Sequence, residues 1–369
     1  MLSDVLNPVI TRPRRLARRR GRPLSRYIQS CLTAVVAFGV AAVLLGQIIP
    51  SPTIPSNVVF IGPKHDFYQA HKDDYNALFF GSSRVYNHIV PDVFDTASEQ
   101  VGLPVNSYNF GIPAMRALDS TVLVEDVLKS PPKNLKWVFF ETTLDKGYEP
   151  IQNARTHRSM YWHTWENMSF AARYIVKSES SAVEKAMLLV SHLLPTLYRQ
   201  VNVGRLFSQV LPSEFSAREK ATAEIFTRNE GYFPLVDESD PDRQHFLAHQ
   251  DDYIAAVDKL TAVAETDLPQ TQLAENKRML LAKAARIIRA AGAEPIFIDP
   301  PSLSLERDFQ IAKQQGDIET LLSYRAPNRF PQLYDSTKRF DPEHLTESAS
   351  EDFSRLLAKD FVQAVQSGL

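Results

Sequence analysis

The chain has 369 residues, 44% of them hydrophobic and 23% charged, which is enough apolar material for a sizeable core and excludes a disordered or low-complexity protein. The net charge of −2 hides an asymmetry: residues 1–27 hold eight arginines against one aspartate, a charge of +7, so the rest of the chain carries −9. A single cysteine, Cys31, excludes an intrachain disulfide framework.

After Arg26 no charged residue occurs until Lys64. The apolar run at 32–49 lies inside that gap, and as a helix it would span ~27 Å, close to the ~30 Å hydrocarbon core of a bilayer. Arginines on its amino side predict a cytoplasmic start and export of everything that follows. The expected layout is a basic tail over 1–27, a transmembrane signal anchor over 28–50, and a linker with domain entry over 51–75. A cleaved signal peptide fits less well, because the run is long and no A-x-A-like site follows it. Nucleic-acid binding by the tail is set aside for the same economy: a basic stretch before a membrane span needs no other partner. Cys31 stands at the start of the span, where a lipoprotein cysteine would follow the apolar run. A packed or lipid-facing thiol is the simpler reading, with reversible palmitoylation left open.

Beyond the linker, strand and helix patterns alternate. Asn76-Ala-Leu-Phe-Phe80, four apolar residues in a row bounded by Gly81, has the pattern of a buried strand, and Pro91 opens a helix. Val105–Gly111 reads as a second strand and Leu118, Val122, Val124 and Leu128 as the helix that covers it. Leu135–Phe140 is a third strand, ending at Glu141-Thr142-Thr143. Over 148–269 the rhythm stops and the text turns helical and aromatic, with Trp162 and Trp165 clustered and a helix from Ala182 to Tyr198 interrupted at Pro195. This region reads as a helical insertion, a lid or an aromatic substrate platform. The rhythm resumes with a helix over 273–291, a strand over Pro295–Ile298, a fifth strand at Gln332–Asp335, and a last helix from Ser348 to Gln366 with Ser348 and Glu351 as a capping box. The alternation predicts an α/β fold with a mainly parallel sheet and helices on both faces, its halves at 76–147 and 270–369.

Chemistry concentrates at two places. Gly81-Ser82-Ser83-Arg84 follows the first strand, where Ser83 would have a helix amino terminus and its own N–H facing any developing negative charge. Asp341-Pro342-Glu343-His344 precedes the last helix, a spacing that lets the carboxylate fix one imidazole nitrogen and leave the other as a general base. A second D-x-x-H, Asp242 to His245, shows how common the pattern is. His245 and His249 at helical spacing lack further ligands, so no metal is predicted, and the absence of a P-loop or a G-x-G-x-x-G after a strand predicts no nucleotide cofactor.

In order and position, Gly81-Ser82-Ser83, Gly111 after the second strand, and Asp341-x-x-His344 before the last helix resemble the SGNH (GDSL-type) hydrolase superfamily. That resemblance implies a three-layer α/β/α, flavodoxin-like domain and an ester-cleaving triad of Ser83, His344 and Asp341, with no cofactor. It places Ser82 where the family usually has aspartate, and it implies an oxyanion hole from Ser83 and Gly111. The family's third block, G-x-N-D, is missing; Glu141-Thr142-Thr143 stands there, leaving Asn109 or a threonine to supply the lost donor. Arg84, Thr142, Trp162 and Trp165 complete the expected substrate contacts. With its membrane span, the chain is similar to SGNH-like proteins that act on bacterial envelope polymers. The resemblance implies an inner-membrane, single-pass protein with an extracytoplasmic domain. It implies an acylated glycan as substrate, acetyl being the expected acyl group, and a membrane-bound acyltransferase as partner. Hydrolysis and acyl transfer stay open, as does a non-catalytic glycan-binding or scaffold module.

Overall fold

The computed structural model describes residues 24–48, 54–202, 216–236 and 238–368. The basic tail through Pro23, the end of the span at 49–50 and linker residues 51–53 lie outside the described residues. Five strands, β1 (Ala77–Gly81), β2 (Ser107–Gly111), β3 (Trp137–Phe140), β4 (Glu294–Asp299) and β5 (Leu321–Ser323), form one sheet in the order β2-β1-β3-β4-β5. Every pairing is parallel. Gly81 is level with Gly111, and Phe80 with Phe140, so the carboxyl ends of the first three strands share one rim. In an open sheet of this order, ligands bind at that rim beside β1, where the winding direction reverses.

The helices are α1 (Leu24–Ile48), α2 (Ile61–His71), α3 (Ser83–His88), α4 (Pro91–Gln100), α5 (Ala117–Val127), α6 (His157–Trp162) and α7 (Trp165–Val176). They continue with α8 (Ala182–Val201), α9 (Ala217–Arg228), α10 (Pro241–Ala248), α11 (Gln250–Ala264), α12 (Glu275–Ala290), α13 (Asp308–Gln315) and α14 (Glu347–Gln366). Successive strand residues face opposite sides, which sorts the core in two. Leu78 and Phe80 join one cluster with residues of α2, α5, α7 and α12. Ala77 and Phe79 join the other with residues of α4 and α14, where the Phe79, Phe94, Phe139 and Phe361 rings pack together.

Three local expectations are corrected. The fifth strand is Leu321–Ser323, whereas Gln332–Asp335 falls on a 3₁₀ turn at Pro331–Leu333 and the residues after it; Pro331 has no N–H for a ladder. The last helix begins at Glu347 and is capped by Thr346, whose hydroxyl accepts from Ala349 N, not by Ser348. Helix α8 runs unbroken through Pro195, its buried side held by Leu188, Ser191, His192 and Thr196. Helix α1 is long and apolar enough to cross a membrane, a property shared with signal sequences near an amino terminus.

Candidate active site

Ser83 is the first residue of α3, and Ser82 caps that helix, its hydroxyl accepting from Arg84 N at 3.3 Å. The turn from β1 into α3 is tight enough to require glycine at two strand ends. A Cβ on Gly81 would lie 2.4 Å from Val85 Cγ2 and 2.6 Å from Glu141 Oε2, and one on Gly111 would lie 2.2 Å from the backbone nitrogen of Tyr86. Glu141, buried at the end of β3, fastens the turn. Its Oε2 accepts from Ser82 N and its Oε1 pairs with Arg84 Nη2, both at 2.6 Å. The residue in the missing third block is therefore a carboxylate that accepts, not an amide that donates.

The second half comes from a closed turn. Arg339 and Leu345 bridge in antiparallel fashion, and Phe340 N donates to His344 O at 2.9 Å. Within it, Asp341 Oδ1 accepts from the backbone N–H groups of Glu343 and His344, each at 2.8 Å. The other oxygen, Oδ2, lies 2.7 Å from His344 Nδ1, and His344 Nε2 lies 2.8 Å from Ser83 Oγ. Burial raises the Asp341 carboxyl, but hydrogen bonds from His344 and the backbone outweigh it and hold the group below its ordinary value. An ionised Asp341 requires the proton on Nδ1, which leaves Nε2 as acceptor towards the serine.

The two halves, 261 residues apart in sequence, meet because α14 is fastened to the end of α3. Ser350 Oγ donates to Asn87 O at 2.7 Å, and Ser354 Oγ accepts from Val90 N at 2.9 Å. His88 adds a third tie, its Nε2 accepting from Leu345 N at 3.1 Å. Burial first, then the charges of His344, Arg339 and Arg84, push His88 well below its ordinary value, so it stays neutral, the state this contact needs. Sequence reasoning placed Glu141 at the third strand end without its role as acceptor and missed His88 altogether: a carboxylate at a strand end and a histidine at a helix end carry no motif of their own.

Several predicted site residues lie elsewhere or are already engaged. Asn109 is fully buried; its amide bridges Val85 O and Ile89 O at 2.8 Å each, and its Oδ1 accepts from Gly111 N at 2.7 Å. Neither Asn109 nor the Gly111 N–H is free to hold an oxyanion. The backbone N–H groups of Ser83 and Ala114 have no protein acceptor among the described residues. Ala114 has φ of 54°, a left-handed conformation that costs a non-glycine residue energy. Arg84 is committed to Glu141 and Thr143, while Thr142 is buried with its hydroxyl 3.4 Å from Ser120 Oγ. Both border a separate small cavity and not the one at Ser83. The tryptophans are remote too: Trp162 is buried with its ring 3.7 Å from that of His163, and Trp165 faces α1 and α8. His245 and His249 stack on each other at 4.2 Å, and no cluster of three metal-ligating side chains occurs among the described residues.

Ser83, Asp341 and His344 instead open into a cavity of about 500 Å³. Phe60 and Tyr86 line one side, Phe340 another, and Phe226, Phe233 and Leu235 of the 148–269 region close it. Phe60 has φ of 64°, so left-handed backbone occurs on the cavity wall as well as at Ala114, just after the lining residue Pro113. No protein-family model matches the chain, and no curated protein is significantly similar to it.

Proposed function

We propose that the chain is a membrane-anchored SGNH-type serine esterase or O-acyltransferase, with the three-layer α/β/α arrangement of that superfamily. The observation that carries the proposal is the continuous relay from Asp341 Oδ2 through His344 to Ser83 Oγ at the ligand-binding rim of a parallel sheet. In this reading His344 Nε2 removes the serine proton as Oγ attacks an ester carbonyl, and Asp341 stabilises the resulting imidazolium. The N–H of Ser83 is the oxyanion donor in this reading, the Gly111 N–H and the Asn109 amide being engaged already. The protonated His344 then returns its proton to the leaving alcohol, and water or a second hydroxyl releases the acyl group from Ser83.

Helix α1 would be the anchor, with its arginine-rich approach in the cytoplasm and the α/β domain outside a bacterial inner membrane. There the substrate would be an acylated glycan or another envelope polymer, with a membrane-bound acyltransferase as a fitting partner. Labelling by a fluorophosphonate probe tests the chemistry: the wild-type chain should react and Ser83→Ala should not. A chain that folds and never labels would instead be a glycan-binding or scaffold module, a reading favoured by the carboxylate at Glu141 where a donor is expected.

A further inference from the structure

The cavity at Ser83 has a largely aromatic wall. Tyr86, Phe226 and Phe340 are buried in its walls, and Phe60, Phe233 and Leu235 are half-buried. Of its charged lining residues, Arg218 and Asp242 are exposed and mark the mouth, Glu219 and Asp240 are half-buried, and Asp341 belongs to the relay. A volume of about 500 Å³ is in the range that holds whole drug-sized ligands, and an acetyl group with its two carbons would leave most of these aromatic walls without contact. Resting on the hydrolase reading above, we infer that the acyl group this site accepts is a medium-length apolar chain, seated among Phe60, Tyr86, Phe226 and Phe233, with the polar alcohol portion at the charged mouth. In the step, the Ser83 Oγ–acyl bond forms as the ester C–O bond breaks. The serine proton passes through His344 to the departing alcohol, and a water or hydroxyl then returns its own proton to Ser83 by the same route.

The test is kcat/KM of the full-length chain, in detergent, on p-nitrophenyl acetate, butyrate, hexanoate and octanoate. Each methylene that enters the apolar interior should raise kcat/KM by up to roughly fourfold. Leu235→Trp, at a half-buried position, narrows the cavity and should lower octanoate turnover about tenfold while leaving acetate within about threefold, because overpacking acts only on a chain long enough to meet it. Acetate as the best ester of the series, or a Leu235→Trp enzyme with an unchanged chain-length profile, would overturn the inference with the esterase intact. No turnover of any ester together with no fluorophosphonate labelling would refute the hydrolase reading, and this inference with it.

A separate observation concerns α8. Val183, Met187, Val190, Leu194, Leu197 and Val201 recur at alternating steps of four and three and are 41–70% exposed, one apolar stripe along the whole helix. The stripe is continuous with α1: Leu194, Leu197 and Val201 share a groove with Gly39 and Val43 of that helix, and Trp165 borders it. Gly39 and Val43 precede Ile48 by ~13 and ~8 Å of helix, and amphipathic helices at membrane surfaces sit ~5–10 Å into the boundary of headgroup and acyl chain. We propose that the α8 stripe lies in the outer interface of the bilayer that α1 crosses, so that lipid covers it. This rests on the anchoring reading of α1 and not on the chemistry.

The test uses the full-length chain in phosphatidylethanolamine–phosphatidylglycerol liposomes carrying brominated acyl chains. The emission of Trp165, isolated by difference against Trp165→Phe, should be quenched, and Leu194→Glu with Leu197→Glu should relieve the quenching. Unquenched Trp165 in a chain that resists alkaline carbonate extraction would overturn the proposal. A dimer abolished by the same glutamates would overturn it too, because a second copy would then cover the stripe. A chain released by carbonate would refute the anchor itself.

Discussion

Asp341→Asn separates orientation from charge at the relay. In the native turn, Oδ1 is held by two backbone N–H groups at 2.8 Å, so the carboxylate cannot rotate without losing both. An asparagine in this turn keeps its carbonyl oxygen on those donors and therefore turns its NH₂ towards His344 Nδ1, 2.7 Å away in the native chain. A donor there requires Nδ1 to accept, which moves the imidazole proton to Nε2, the nitrogen facing Ser83 Oγ at 2.8 Å. The base is then spent before the reaction starts. Loss of the correct tautomer in a serine triad lowers turnover by about 10⁴, and the same factor is expected here in the rate of fluorophosphonate labelling and in ester hydrolysis. Stability should change little, because the two backbone hydrogen bonds survive. Labelling rates of purified wild-type and Asp341→Asn chains, with thermal melting as the control for folding, provide the assay. A variant that melts normally and labels within tenfold of wild type would refute the argument.

Glu141→Ala should destabilise the chain by about 3–5 kcal/mol in urea unfolding, because it removes the buried carboxylate partner of Arg84, which keeps only Thr143, and the acceptor of the Ser82 N–H; Glu141→Gln should lose less, since its amide oxygen can still accept. Gly111→Ala should be at least as damaging as a typical overpacked core, about 1–3 kcal/mol, because the added carbon meets backbone rather than a movable side chain. Asp95 gives a pH test. Burial pushes its carboxyl up to about 7 against hydrogen bonds donated by Ser107, so between about pH 4 and pH 7 the folded chain holds a proton that the unfolded chain has lost. Stability should therefore fall as pH rises through that window, and Asp95→Asn should remove up to about 4 kcal/mol of this dependence; parallel wild-type and variant curves from pH 4.5 to 8 would contradict it.

The sheet was readable wherever burial writes itself into short apolar runs. Asn76–Phe80, Leu135–Phe140 and Pro295–Ile298 read as strands, and the strands are Ala77–Gly81, Trp137–Phe140 and Glu294–Asp299. Leu321–Ser323 escaped notice because an edge strand of three half-buried residues leaves almost no pattern. The relay residues were readable for a different reason: Ser83 follows the first strand and Asp341 and His344 precede the last helix, an order and position that resemble the SGNH pattern. The assignments that moved depended on side-chain direction, which sequence does not carry. Asn109 lies on a strand whose residues alternate between the two faces, and it faces the end of α3, where its amide is consumed by Val85 O and Ile89 O. Trp162 and Trp165 suggested a platform by composition alone; packing buries the first and sets the second beside α1.

The relay and the cavity wall come from different segments, and this divides what a substitution can change. Ser83 and His344 are held by a capped helix start, a bridged turn, and serine hydroxyls bonded between α14 and the end of α3. The cavity wall from Phe226 to Leu235 comes from a segment that supplies no strand among the described residues and is tied on by its main chain, with Asn109 N donating to Glu230 O at 2.9 Å and Phe233 N to Tyr86 O at 3.1 Å. Substitutions at Phe226, Phe233 or Leu235 can reshape the space a substrate enters while Ser83 Oγ and His344 Nε2 keep their separation, because none of the relay's own hydrogen bonds passes through those side chains. Substitutions at Ser350 or Ser354 act the other way, loosening the contact between two helices on which the 2.8 Å serine–histidine distance depends. Selectivity and reactivity can therefore be altered separately in this fold.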